Sequence, residues 1–113
     1  MVVVRVSARA ARWLARETDE YAHEELGYAA PEAHPPYAAD LVELQQKFAP
    51  HRNTETDVEI TLSPGAAGSL GAHYDTLADH RGDLGLLRFA SALLRAALHG
   101  GEVRLPDEAA PAQ

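Results

Sequence analysis

Two residues of this chain could form an acid–base pair, although they lie 56 positions apart. Glu17 falls among the apolar residues of a predicted first helix, and His73 falls at the corresponding point of a predicted third helix. If the two apolar helix faces pack together, a carboxylate and an imidazole meet away from water, as general acid–base catalysis requires. The alternatives are two surface positions or a structural hydrogen bond. We therefore assign no catalytic residue, keep Glu17 and His73 as candidates, and favour a non-enzymatic role.

The one basic cluster in the sequence consists of four arginines near the N-terminus. Arg9, Arg12 and Arg16 fall within about 60° of one another on the first helix, and Arg5 precedes them on a strand. This surface could bind phosphate or an acidic partner, or it could be a solvated helix face balanced by nearby carboxylates. The net charge of −7 opposes binding to a polyanion such as DNA.

The sequence predicts no metal ion and no cofactor. Glu20 and His23 have the i, i+3 spacing of di-iron bundle proteins but lack the second such pair that those sites need. There is no cysteine, which excludes thiolate zinc sites and disulfides. Three glycines at intervals of three, Gly65, Gly68 and Gly71, lie within a predicted helix, which favours close helix packing over a phosphate loop.

Alternating apolar residues, helix caps and proline positions predict a small, mostly helical α/β (α+β) domain over residues 1–105, in the order β-α-α-β-α-α. A short C-terminal edge strand is predicted at Glu102 to Leu105, and a disordered tail at residues 106–113. The remaining predicted elements are strands at Val2 to Val6 and Val58 to Leu62, and helices from Ser7 to about Leu26, from Ala38 to Phe48, from Pro64 to about His80, and from Leu84 to Leu98.

The first half of this order returns in the second half, since a strand and a serine cap at Ser7 recur 56 residues later at Ser63. An internal repeat of residues 2–48 and 58–99 is one interpretation, and chance similarity in an alanine-rich chain is the other. Two strand-helix-helix units resemble the ribbon-helix-helix family, whose members pair two such units through their strands. The resemblance implies an antiparallel two-stranded ribbon, and it implies DNA binding through the outward strand positions, here Val3, Arg5, Glu59 and Thr61.

The fourth helix is apolar around most of its circumference, which predicts a subunit interface through Leu86, Phe89, Leu93 and Ala97. We therefore expect a non-enzymatic module of the antitoxin or immunity type that binds a protein partner or itself, as a homodimer. A ribbon-helix-helix DNA-binding regulator and a small enzyme built on Glu17 and His73 are the alternatives. No apolar run is long enough to span a bilayer, which predicts no membrane partner and a cytoplasmic location.

Overall fold

The computed structural model describes residues 1–27 and 30–105 of the chain. The order of elements is β-α-α-β-α-α-β, which confirms the predicted small, mostly helical α+β fold. The predicted tail at residues 106–113 lies outside the described residues. The elements are β1 (Val2–Val6), α1 (Ala8–Leu26), α2 (Ala38–Phe48), β2 (Val58–Leu62), α3 (Pro64–Arg81), α4 (Leu84–His99) and β3 (Gly101–Leu105).

The three strands form one sheet in the order β2-β1-β3. β1 and β2 are antiparallel, as predicted. The predicted C-terminal edge strand extends this ribbon to three strands, because β3 pairs in parallel with the other side of β1 and makes β1 the central strand. Gly100 and Gly101 have φ values of 76° and 119°, a backbone region that favours glycine, and they allow the chain to turn from α4 directly into β3.

The register of β1 and β2 places an approximate two-fold axis between the two strand-helix units. The repeat offset of 56 residues carries Val4 onto Ile60, and these two residues are also antiparallel partners. The two helix starts are equivalent as well. The Ala10 N–H donates to Ser7 Oγ at 3.1 Å, and the Ala66 N–H donates to Ser63 Oγ at 3.2 Å.

The core lies between the helices and one face of the sheet. Val2, Val4 and Val6 of β1 are buried and alternate with half-buried residues, as in a strand with one face packed. The helices pack against this face of the sheet. Leu14 of α1, Leu70 of α3 and several larger side chains belong to the same core. No helix within residues 1–27 and 30–105 combines the length and apolar character needed to cross a membrane.

The predicted interface on α4 is corrected, because most of it belongs to the core. Leu86, Phe89 and Leu93 are buried within the subunit, and Ala97 is half-buried. The reason is that α4 packs along α3 and also contacts β1 and β3, so its most apolar side is covered by its own chain. These positions therefore do not offer a surface to a second subunit in this structure.

Candidate functional site

The structure brings Glu17 and His73 together. The His73 Nε2 atom lies 3.6 Å from Glu17 Oε1, and each side chain is only 18% exposed. The contact joins α1 to α3 at positions 56 residues apart, the same offset that relates the antiparallel partners Val4 and Ile60. The distance suits an ion pair but slightly exceeds a hydrogen bond, and Nε2 has no hydrogen-bond partner among the described residues. The predicted approach is thus observed, while a catalytic role stays a prediction.

Aromatic rings hold the His73 imidazole in place. Its ring stacks on Tyr21, with centroids 3.9 Å apart and planes 12° apart, and it tilts against Tyr74 at 5.1 Å. Tyr74 stacks in turn on Trp13 at 5.4 Å. Contacts with these two rings restrict rotation of the imidazole, so its orientation depends on packing.

Tyr74 lies at the centre of this aromatic group and is fully buried. Its hydroxyl has no hydrogen-bond partner among the described residues. Burial raises the pKa of Tyr74 well above its ordinary value, the charge of Glu17 raises the pKa further, and Arg81 lowers it. The phenol is therefore held neutral next to the Glu17 and His73 contact.

We expect Tyr74→Phe to leave stability at pH 7 unchanged, or to raise it by up to about 1 kcal/mol, because the lost hydroxyl is buried without a partner. Above about pH 10 the unfolded chain loses the Tyr74 proton and the folded protein keeps it, so stability falls as pH rises toward the raised pKa. The variant should lose less stability in this range. Urea unfolding at pH 7 and between pH 9.5 and 11 measures both effects.

Part of the loss of folding stability at alkaline pH should remain in Tyr74→Phe. Burial, the charge of Glu25 and the neighbouring Tyr37 raise the pKa of Tyr21 to about 12, so Tyr21 contributes a similar loss between about pH 10 and 12. A drop of more than about 1 kcal/mol at pH 7 would contradict the prediction, since it would show that the Tyr74 hydroxyl makes a stabilising contact.

A cleft of about 350 Å³ opens beside the Tyr21–His73 stack. At its edge the Tyr37 hydroxyl donates to Glu25 Oε2 at 2.7 Å. Three polar side chains therefore line this part of the cleft: the Tyr21 phenol, the Tyr37 phenol and the Glu25 carboxylate. The lining residues are Tyr21, Glu25, Tyr37, Ser69, Ala72, His73 and Thr76.

Sequence reasoning missed this cleft. Tyr21 and Glu25 are one helical turn apart on α1, a spacing that could have marked them as neighbours. Tyr37 precedes α2 at the end of a proline-rich segment, and no periodic pattern relates it to α1. Glu17 is not among the residues that line the cleft, so the predicted acid–base pair presents only His73 to it.

The four arginines of the predicted basic surface lie along β1 and α1, and Arg5 and Arg12 both contact other parts of the chain. Arg5 pairs with Glu59, at 3.0 Å between Nη1 and Oε2, and with Glu102 on the other neighbouring strand. The Arg12 Nη1 donates to the Thr54 carbonyl at 2.9 Å. Arg9 and Arg16 are half-buried on α1. Anion binding by this surface stays a prediction, and Arg5 already has two carboxylate partners.

A second cleft, of about 480 Å³, lies at the end of the sheet where β1, β2 and β3 meet the start of α1. Its charged lining residues are of both signs, since Arg5 and Arg104 face it together with Asp57 and Glu59. Such a lining selects no single class of ligand by charge. Within residues 1–27 and 30–105, no three His, Asp or Glu side chains are grouped so that they could hold a metal ion.

In comparisons with known proteins, the chain matched no family model, no curated protein and no solved structure. The ribbon-helix-helix resemblance therefore stays a prediction drawn from the order of elements.

Proposed function

We propose that this protein is a non-enzymatic protein-binding module, and that its contact surface is the outer leucine face of α4, formed by Leu84, Leu87, Leu94 and Leu98. Leu84, Leu94 and Leu98 are 67%, 36% and 81% exposed, and Leu87 is half-buried. Single exposed leucines are ordinary on a protein surface, whereas a row of four on one helix is typical of a binding site. This row is the observation that carries the proposal.

The spacing of the outer leucine face suits contact with another helix. Leu84, Leu87, Leu94 and Leu98 are separated by three, seven and four residues, the intervals of a heptad seam. At 3.6 residues per turn they fall within about 80° of one another and extend over about 21 Å. The buried side of α4, which includes Leu86 and Leu93, lies on the opposite side of the helix. The outer leucine face is therefore largely separate from the buried side of α4, and of its members Leu87 also packs against the core.

The charges beside the outer leucine face favour an acidic partner over a second copy. Arg88 and Arg95 are exposed and lie about 20–40° beyond Leu84 around the helix, along one edge of this face. In an antiparallel pair of α4 helices the two arginine edges would face each other and repel. A parallel pair would bring Ala90 and Ala97 into the contact between the two α4 helices. These residues face the interior of their own subunit and are not free to make that contact. We therefore expect the partner to present an amphipathic helix with leucines flanked by carboxylates.

A synthetic helical peptide with leucines at heptad spacing and glutamates on both flanks provides the test. We expect saturable binding that weakens at least about tenfold in the double variant Leu84→Ser/Leu98→Ser, because two apolar side chains no longer become buried. The control is Val42→Ser, which removes a 40% exposed apolar side chain from a different helix, α2. Fluorescence anisotropy of the labelled peptide measures the affinity.

A charge exchange tests the contribution of the arginines. Arg88→Glu/Arg95→Glu should weaken binding of the glutamate peptide and strengthen binding of a matched lysine peptide. Equal binding of both peptides by the unmodified protein would contradict the proposed partner. Light scattering that shows a dimer, abolished in Leu84→Ser/Leu98→Ser, would assign the face to a second copy.

A further inference from the structure

We infer that the cleft beside the Tyr21–His73 stack binds an alkylammonium group, either of a small amine or of a lysine side chain. This site is separate from the outer leucine face, because its lining residues belong to α1, α3 and the start of α2. The inference does not depend on the proposed function, and each can fail without the other.

The charge of the lining is the first argument. Glu25 is the one carboxylate among the lining residues that the structure describes, and these residues include no lysine or arginine. His73 is the one lining side chain that can become positive, and its Nε2 atom lies 3.6 Å from Glu17, whose charge compensates it. The whole chain carries a net charge of −7, which also attracts cations.

The hydrogen-bonding capacity of the lining is the second argument. The Tyr37 hydroxyl gives its proton to Glu25 at 2.7 Å, and the Thr76 hydroxyl gives its proton to the Ala72 carbonyl at 3.3 Å. These oxygens keep lone pairs but have no further proton to donate. The Tyr21 and Ser69 hydroxyls of the lining can also accept a hydrogen bond. The lining thus offers several acceptors to a ligand, and an ammonium group has three donors and no acceptor.

The size and aromatic character of the cleft restrict the ligand further. A volume of about 350 Å³ is near the lower end for small-molecule sites. One face of Tyr21 is covered by His73, whereas Tyr37 is exposed and offers its ring to a cation. These features suit a short alkyl chain that ends in a single cationic head.

Amide NMR titration with n-butylammonium tests the inference, and n-butanol is the uncharged control of the same shape. We expect saturable shifts at Tyr21, His73 and Thr76, with an affinity on the order of millimolar, and no matching shifts with butanol. Spermidine and the tripeptide Gly-Lys-Gly amide then distinguish the two sources of the group. Tighter binding of spermidine indicates a free amine, and tighter binding of the tripeptide indicates a lysine side chain.

Three variants make the result decisive. Glu25→Gln should weaken n-butylammonium binding about fivefold at low salt, because it removes the carboxylate at an exposed position. Glu24→Gln makes the same charge change on the neighbouring residue, which is not among the lining residues, and should leave the affinity unchanged. Ala72→Leu adds bulk at an exposed lining position and should abolish the shifts without changing the charge.

Several results would overturn the inference. Equal weakening by Glu24→Gln and Glu25→Gln would show that the cation responds only to the overall charge of the protein. Saturable binding that survives in Ala72→Leu would place the ligand elsewhere. Equal shifts with butanol would show that the cleft recognises the alkyl chain and not the ammonium group.

Discussion

Leu93→Ala should destabilise the folded protein by about 2–5 kcal/mol, the range for removing a buried leucine side chain and leaving a cavity. Leu93 is fully buried on the inward side of α4. If Leu93 lay in a subunit interface, as its sequence pattern predicts, the loss would depend on protein concentration because dimers dissociate on dilution. In this structure Leu93 belongs to the core of one subunit, so the loss should not depend on concentration. Urea unfolding at two concentrations that differ tenfold measures this.

Leu98→Ala is the matched control on the same helix. Leu98 belongs to the outer leucine face and is largely exposed, so we expect a change in stability within about 0.5 kcal/mol. A loss as large as that of Leu93→Ala would show that the outer leucine face is already covered in the isolated protein. Such a result would contradict both the division of α4 into two faces and the proposed binding surface.

Gly71→Ala should destabilise the protein by about 1–2 kcal/mol, although alanine is the better helix former. A Cβ atom at Gly71 would lie 2.9 Å from Leu94 Cγ and 3.1 Å from the Ala90 carbonyl oxygen. Leu94 is partly exposed and can move, whereas the Ala90 backbone cannot move without shifting α4 against α3. Thermal unfolding measured by circular dichroism should show a lower midpoint.

Gly68→Ala is the control for this substitution. Its Cβ atom would meet the Ala97 Cβ at 3.7 Å, an ordinary van der Waals distance. Here the gain in helix propensity is not opposed by a clash, so we expect stabilisation by about 0.5–1 kcal/mol. If both alanine variants raise the midpoint of thermal unfolding, α3 and α4 do not approach each other closely at Gly71.

Local chemistry alone accounts for most of the element boundaries in this protein. The two serine caps, the proline that opens α3 and the alternation in β2 act within a few residues, so their effects can be predicted from the sequence. The 56-residue offset between the two serine caps also anticipated the contact between Glu17 and His73, because corresponding positions can meet near an approximate two-fold axis.

The sequence alone thus determined which segments become strands and helices, whereas the antiparallel pairing of β1 with β2 was expected only from the ribbon-helix-helix resemblance. Only the tertiary structure decided which side of α4 is buried, because both of its faces are apolar and the choice depends on how α3, β1 and β3 pack against it. The tertiary structure also added β3 beside β1 and brought Tyr37 to Glu25, two contacts between distant segments. Such contacts depend on the path of the whole chain, and no periodic pattern within one segment specifies them.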